Sequence, residues 1–200
     1  MTRMSQSRPY HHGDLRAALL ASAERTLREK GSGALSLREL ARDIGVSHAA
    51  PGRHFKDKQA LLDALAASGF QRLNQTLDST DRPEAPLEPR ITALARAYVT
   101  FAIQNPELLE LMYSRKHDPD IDPELATAAE HSMGHFVQLV TDAQRRGEIV
   151  AGDPEAVMFA AAAGIHGLAV LATNGTLRPD AVLAGLDQHI HLLLHGLKPR

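Results

Sequence analysis

The chain has 200 residues with 44% hydrophobic and 23% charged content and no cysteine, which excludes a disulfide scaffold and a disordered or collagen-like protein. The net charge of −2 conceals an asymmetry: residues 1–60 hold 11 Lys/Arg and 6 Asp/Glu, a net of +5, whereas residues 61–200 hold 11 and 18, a net of −7. We call residues 1–60 the head. A basic head followed by an acidic remainder of the chain favours a polyanionic partner for the head, and the alternative is a chance fluctuation in charge that has no function.

Helical periodicity dominates the whole chain. Apolar residues recur at i, i+3, i+4 and i+7, and the period-two alternation of strands is missing, so we predict an all-α protein of about nine helices. No apolar run occurs in residues 1–14, so we expect no signal peptide and a cytoplasmic location. The first helix is predicted from Asp14 to Lys30, ahead of Gly31.

The next three helices have local start signals. Ser36 and Glu39 form the pattern of a capping box, which predicts a helix from Leu37 to Ile44 that ends at the Gly45 turn. Further helices are predicted from Ser47 to about Phe55 and from Asp57 to about Leu77, with Ser47 and Asp57 as N-caps.

A polar stretch with three prolines follows and predicts the boundary between domains. The predicted division is an N-terminal domain of residues 1–77, a linker of residues 78–89 and a C-terminal domain of residues 90–200. Three later helices are predicted to begin at Asn105-Pro106, Asp122-Pro123 and Asp153-Pro154, because an N-cap residue followed by proline is a typical helix start.

The last two predicted helices, residues 154–173 and 179–197, are the most apolar part of the chain. Residues 156–173 carry no charge and are just long enough to cross a bilayer. His166 and two glycines interrupt this run and no Trp/Tyr belt flanks it, so we expect a helix buried on all sides in a water-soluble protein, with no membrane. A single chain offers no extra layer to cover both helices, which predicts a homodimer built from them. The apolar surface predicted for this pairing consists of Val157, Ala160, Ala161, Gly164, Leu168 and Leu171 in the first helix and Leu183, Leu186, Ile190, Leu193, Leu194 and Leu197 in the second.

Two short helices joined by a glycine turn in the basic head are typical of a helix-turn-helix, although any helical bundle can contain such a corner. The run LRELARDIGVSHAAPGRHFKDKQALL, Leu37 to Leu62, resembles the DNA-binding domain of TetR/AcrR-type transcriptional regulators, and the likeness covers about residues 10 to 65. The segments YHHGDL at residues 10–15, NPEL at 105–108 and IHG at 165–167 resemble a subgroup with a Trp-His-Gly signature, in which Ile165 takes the place of the tryptophan.

The resemblance implies an N-terminal helix-turn-helix domain of three helices and a C-terminal helical bundle domain for ligand binding and dimerisation. It implies a homodimeric repressor that leaves a pseudo-palindromic double-stranded operator when a small-molecule effector binds, with no cofactor. The DNA-binding residues that it implies are Arg38, Ser47, His48, Ala49, Ala50, Gly52, Arg53, His54 and Lys58. Gly52 stands where the family usually has tyrosine, so recognition is expected to depend more on Arg53, Arg38 and the N-terminal arm.

Several of these residues also have simpler interpretations. Arg53 can read a guanine edge, touch phosphate or remain solvated, and Lys58 can meet phosphate or be a plain surface lysine. An N-terminal arm with Arg3, Arg8, His11 and His12 can enter the minor groove or make no contact.

The histidines raise the question of a metal site. His131 and His135, and likewise His191 and His195, have the i, i+4 spacing that presents two imidazoles to one ion. Neither pair is accompanied by cysteine or by an HExxH carboxylate, so we expect exposed or hydrogen-bonded histidines and no metal site. His166 is expected to be either a satisfied core histidine or a hydrogen-bonding group for an effector or an interface.

An effector pocket is predicted among the aromatic and sulfur-bearing residues of the C-terminal domain, and a solid core is the alternative. The predicted lining is Tyr98, Phe101, Met112, Tyr113, Met133, Phe136, Val140, Met158 and His166. Two other classes of function remain: a helical adaptor that binds proteins without DNA, and a helical-bundle enzyme. The sequence lacks Glu-x-x-His, a phosphate-binding glycine loop and a nucleophile elbow, so we do not expect an enzyme.

Overall fold

The computed structural model describes residues 12–118 and 120–196, with the side chains of α1 from residue 15 onward, and its regular structure there is entirely helical. The all-α prediction is confirmed. The eight α-helices are α1 His12–Lys30, α2 Leu37–Asp43, α3 Lys58–Thr80, α4 Leu87–Gln104, α5 Pro106–Arg115, α6 Pro123–Arg145, α7 Pro154–Thr173 and α8 Pro179–His195. Short 3-10 helices cover Ser32–Ala34 and Pro51–Arg53. The predicted arm side chains Arg3, Arg8, His11 and His12 lie outside the described residues.

Side-chain caps are present at three of the helix starts. The carboxylates of Asp57, Asp122 and Asp153 accept hydrogen bonds from backbone N–H groups in the first turns of α3, α6 and α7, at 2.8, 2.8 and 3.1 Å. These three predictions are confirmed. Asn105 is not a side-chain cap, because its Nδ2 donates backwards to the carbonyl of Phe101 at 2.9 Å.

Helix α3 contacts both the head and the C-terminal helices. It packs on α1 in the head and on α4, α5 and α6 in the rest of the chain. Gly69 permits a close approach to α5, since a Cβ there would lie 2.6 Å from the Sδ of the buried Met112. Asp63 of α3 accepts a hydrogen bond from Arg115 of α5 at 2.7 Å, and both side chains are nearly buried. The head is therefore fastened to the C-terminal helices by buried contacts along one continuous helix.

A buried ion pair ties the end of α3 to the start of α4. Arg90 donates to both carboxylate oxygens of Asp81, at 2.5 and 2.7 Å, and the two side chains are 6% and 9% exposed. The guanidinium of Arg90 lowers the pKa of Asp81, which keeps the carboxylate charged. The polar segment between the two helices is thus held at both ends, and the division into domains within it remains a proposal.

Helix α7 is less covered than expected. By length and composition it is the one helix of the described residues that could cross a membrane, but in the fold it packs against α4, α6 and α8. Only Met158, Ala169 and Ala172 of α7 are buried, and Phe159 is 62% exposed. The prediction of burial on all sides is wrong, because the chain supplies helices for one side of α7 and leaves the other side open.

Candidate nucleic-acid interface and ligand cavity

The corner between α2 and the following segment is closed by backbone hydrogen bonds. Gly45 has φ 72°, its N–H donates to the carbonyl of Arg42 at 3.1 Å, and the N–H of Val46 donates to the carbonyl of Ala41 at 2.9 Å. This pair of bonds is a Schellman motif, which requires a left-handed residue at the position of Gly45. The predicted glycine turn is confirmed, and Ala41 at the corner is fully buried.

The capping box predicted for α2 does not form. Ser36 has the extended backbone of an N-cap, and its carbonyl accepts from the N–H of Leu40 at 2.9 Å, but its side chain makes no capping bond. The carboxylate of Glu39 instead lies 3.8 Å from the guanidinium of Arg42, one turn along the exposed face. The helix starts where it was predicted because of its buried face, not because of the reciprocal side-chain cap.

The segment predicted as the third helix is a series of tight turns. Backbone bonds connect Ala50 to Ser47, Arg53 to Ala50 and His54 to Pro51 in the i to i−3 pattern, and Pro51–Arg53 forms a 3-10 helix. The prediction of a helix from Ser47 to Phe55 is therefore wrong. Pro51 has no N–H to donate and Gly52 has the weakest helix propensity after proline, so the only i to i−4 bond of the described segment is the one from Phe55 to Pro51, at 2.9 Å, and no α-helix extends over it.

This segment projects most of the predicted DNA-binding residues into solvent. Ser47, His48, Ala49, Gly52 and Arg53 are exposed, whereas Ala50 and His54 are half-buried. Arg53 makes no ion pair or side-chain hydrogen bond with any residue that the structure describes. An exposed cation with no partner among the described residues is available to a base edge or a phosphate.

Two further predicted residues lie at the sides of this segment. The ammonium of Lys58, at the first position of α3, donates to the carbonyl of Gly33 at 2.9 Å and remains exposed. The exposed Arg38 shares a polar surface depression with His48 and with residues of α2. Arg38 and His48 therefore share one surface of the head, and Lys58 is exposed beside Gly33.

A partly open cavity of about 320 Å³ lies between α3, α4, α5, α6 and α7. Seven of the nine predicted residues line it: Tyr98, Tyr113, Met133, Phe136, Val140, Met158 and His166. Phe101 and Met112 do not, because Met112 is used in the contact with Gly69 and Phe101 is buried elsewhere in the core. The sequence reasoning missed Lys116 and the α3 residues Phe70 and Leu73, which carry no local signal of a cavity.

The polar groups of the cavity are gathered at one place. The Tyr98 hydroxyl donates to the Tyr113 hydroxyl at 3.1 Å and lies 2.6 Å from Nδ1 of His166. Tyr98, Tyr113 and His166 therefore form one hydrogen-bonded cluster on the cavity wall.

Burial determines the charge at this place. It raises the pKa of Tyr98 and of Tyr113, so both phenols stay neutral. Burial and the nearby Lys116 ammonium lower the pKa of His166, and burial lowers the pKa of Lys116. The Lys116 ammonium lies 4.4 Å from the centre of the Tyr113 ring. The cavity wall is therefore almost wholly apolar, with a hydrogen-bonding group of two phenols, one imidazole and one ammonium.

Comparison with known proteins gives matches to both parts of the chain. Residues 19–65 match the family model of bacterial regulatory proteins of the tetR family, and residues 91–196 match the model of the tetracyclin repressor-like C-terminal domain. The second match alone covers more than half of the chain.

Individual relatives agree with these matches. A nucleoid occlusion factor, SlmA of Aliivibrio fischeri, is 33% identical over 98 residues, 47% of this chain and 48% of the relative, so the match spans about half the length of that protein. A Rhodococcus sp. RHA1 structure described as a protein of unknown function is 46% identical, with TM-score 0.84, over 96% of this chain and all of that one. The regulator FadR of Bacillus subtilis, solved with stearoyl-CoA, shares the fold at 14% identity and TM-score 0.76 over 91% of this chain and 99% of its own.

Proposed function

The chain belongs to the TetR family of bacterial transcriptional regulators, and from this membership we propose that it is a homodimeric cytoplasmic repressor that a small molecule releases from operator DNA. Members of this family are DNA-binding regulators rather than enzymes. The observation that carries the proposal is the path of α3, which begins at Lys58 in the head and contributes Phe70 and Leu73 to the cavity.

The head binds the operator through the exposed turn segment. Arg53 is placed to make a base contact, because it is the cation of this segment that no described residue engages. Lys58 is placed to meet phosphate, because its ammonium lies at the edge of the head beside a backbone carbonyl. Gly52 contributes no side chain, and without a tyrosine there the segment offers fewer contacts for sequence readout.

The cavity binds an apolar molecule with one polar end. Its wall supplies methionine, phenylalanine and alanine surface, which suits a hydrocarbon or aromatic body. Tyr113, His166 and Lys116 would receive the polar end, and a carboxylate there would gain a charge-assisted bond from Lys116.

Two copies of the chain pair through α7 and α8. Phe159, Val170 and Leu171 of α7 and Leu192 of α8 are exposed apolar residues on the two helices. Other residues proposed from the sequence for this surface are used within the chain: Leu186 and Ile190 are fully buried, and Gly164 lies against His189 and Leu193 of α8. Leu197 lies outside the described residues. A second copy with the same surface would cover the exposed residues in a four-helix arrangement, and its two-fold symmetry predicts a pseudo-palindromic operator.

Ligand release follows if the cavity is larger or differently shaped in the DNA-bound state. Since α3 connects cavity and head without a break, a ligand that moves its middle part also moves the first turn at Lys58. The loss of DNA affinity equals the difference in ligand affinity between the two states.

The proposal is tested by selecting bound sites from random duplex DNA and then screening small molecules for loss of binding to the selected site. We expect an inverted repeat and at least one apolar acid or phenol that displaces the protein. Failure to enrich any sequence, with retention on DNA that does not fall as salt is added, contradicts the assignment and favours an adaptor.

A further inference from the structure

The meeting point of α4 and α8 carries three side chains with the donor atoms of a transition-metal site. Glu88 lies in the first turn of α4, and His191 and His195 lie in the last two turns of α8. One oxygen or nitrogen from each of the three lies within 4.8 Å of the others. We propose that Glu88, His191 and His195 bind a divalent cation of the zinc class, a site separate from the DNA-binding head and the ligand cavity.

The two distances from the imidazole nitrogens to Glu88 match those between ligands of a coordination shell. Nδ1 of His191 lies 3.1 Å from one oxygen of Glu88, and Nε2 of His195 lies 3.2 Å from the other. Ligands at about 2.1 Å from a zinc ion are separated by about 3.0–3.4 Å in octahedral and tetrahedral shells. The two imidazole rings are 4.4 Å apart, and all three side chains are partly exposed, so a small rotation completes the shell and leaves positions for water.

The chemistry of the donors selects the cation. Two imidazole nitrogens and one carboxylate favour zinc, nickel, cobalt or copper over magnesium and calcium, which prefer oxygen ligands. A bound cation would take the place of the hydrogen bonds that now join the two imidazoles to this carboxylate.

The other histidine pair provides an internal comparison. His131 and His135 have the same i, i+4 spacing on α6, and both lie near Asp78, at 3.5 and 3.4 Å. Nε2 of His135, however, faces Asp81, whose carboxylate already accepts two hydrogen bonds from Arg90. Spacing and a nearby carboxylate alone therefore do not make a site, and the α8 pair differs because one donor atom from each of its three residues lies within 4.8 Å of the others.

The position of the site gives it a structural consequence. Residues 88 and 191 are 103 positions apart in sequence, so the cation would join the start of α4 to the end of α8. Helix α4 lines the ligand cavity through Tyr98, and α8 lies beside the proposed dimer surface. Metal binding would fix these two helices relative to each other. The proposed metal site does not depend on whether the protein binds DNA.

The test is a calorimetric titration of tag-free, chelator-treated full-length protein with zinc chloride, together with the visible absorption of its cobalt complex. We expect one ion per chain and a higher midpoint of thermal unfolding when zinc is added. Glu88→Gln should weaken zinc binding by about ten-fold or more, and the double variant His191→Gln, His195→Gln should abolish both the heat of binding and the cobalt spectrum. The matched control His131→Gln, His135→Gln should bind zinc as the unmodified protein does.

Two results would overturn the assignment. The first is the absence of a binding heat in the unmodified protein. The second is zinc binding of equal strength in the His191→Gln, His195→Gln variant, which would place the ion elsewhere, for example at His11 and His12. Far-ultraviolet circular dichroism checks that each variant is folded, and the Glu88→Gln cobalt spectrum gives an independent result should the double variant be unstable.

Discussion

Replacing Lys58 with alanine should weaken operator binding without changing which sequence is preferred. Its ammonium is exposed at the first turn of α3, beside the segment that carries Arg53. Loss of its hydrogen bond to the Gly33 carbonyl should cost the fold little, because water replaces the donor at an exposed carbonyl. The effect should therefore be confined to contact with phosphate.

The size of the effect follows from counterion release. Each phosphate contact contributes about 0.9 to the slope of log affinity against log salt concentration, and a homodimer presents two heads. Lys58→Ala should thus reduce the slope by about 1.8. Arg53→Ala should behave differently: if it reads a base, each half-site loses about 1–3 kcal/mol and one position of the selected site becomes less specific.

Fluorescence anisotropy of a labelled operator over a series of salt concentrations measures both quantities. Arg178→Ala is the matched control, because that arginine is 80% exposed at the start of α8, away from the head, and its loss changes the net charge equally. A slope in Lys58→Ala equal to that of the unmodified protein would refute the proposed phosphate contact. If a double variant at Arg53 and Lys58 bound the operator as tightly as the unmodified protein, the assignment of DNA binding to the head would be refuted.

Three further predictions concern stability and assembly. Asp81→Asn should lower the free energy of unfolding at pH 7 by about 3 kcal/mol, because it leaves a buried arginine partly unpaired. Since the pKa of Asp81 is lowered in the fold, its contribution to stability is present above pH 3.8 and is lost as the pH falls below that value. Urea titrations should therefore show a smaller loss of stability at low pH in the variant than in the unmodified protein. Gly69→Ala should destabilise the protein by about 1–3 kcal/mol, because its Cβ would meet a buried methionine sulfur at 2.6 Å. Gly134→Ala, where nothing lies within 4 Å of the added Cβ, should instead raise the midpoint of thermal unfolding. Equal midpoints for the two variants would contradict the close packing of α3 and α5. Phe159→Glu should convert a dimer into a 21.7 kDa species in sedimentation velocity, and an unchanged dimer would exclude this face of α7 from the interface.

The parts of the fold that were predictable are those encoded by neighbouring residues. Aspartate before a helix and glycine after one act through backbone atoms a few positions away, so Asp57, Asp122, Asp153 and Gly45 could be assigned from the sequence alone. The turn segment could have been predicted from Pro51 and Gly52, which oppose an α-helix in the same place. The helix-turn-helix pattern outweighed these two residues in the sequence interpretation.

The parts that were not predictable depend on contacts between distant segments. Seven of the nine residues proposed for the cavity line it, because aromatic and sulfur-bearing side chains on inward helix faces have few other places to lie. Lys116 and the α3 residues of the cavity have no sequence signal, and neither has the convergence of Glu88 on His191 and His195. Which of these residues come into contact depends on the angles at which the helices pack, and these angles cannot be inferred from the sequence.

The central claim, that a ligand in the cavity controls DNA binding, is tested most directly by operator anisotropy of the variant Ala162→Phe with and without a displacing small molecule. Ala162 lines the cavity and is half-buried, so a phenyl group there would occupy the ligand's space while the head is untouched. We predict that the variant binds the ligand-free operator as tightly as the unmodified protein and stays bound at ligand concentrations that release the latter. Release of the variant at the same ligand concentration would contradict the account.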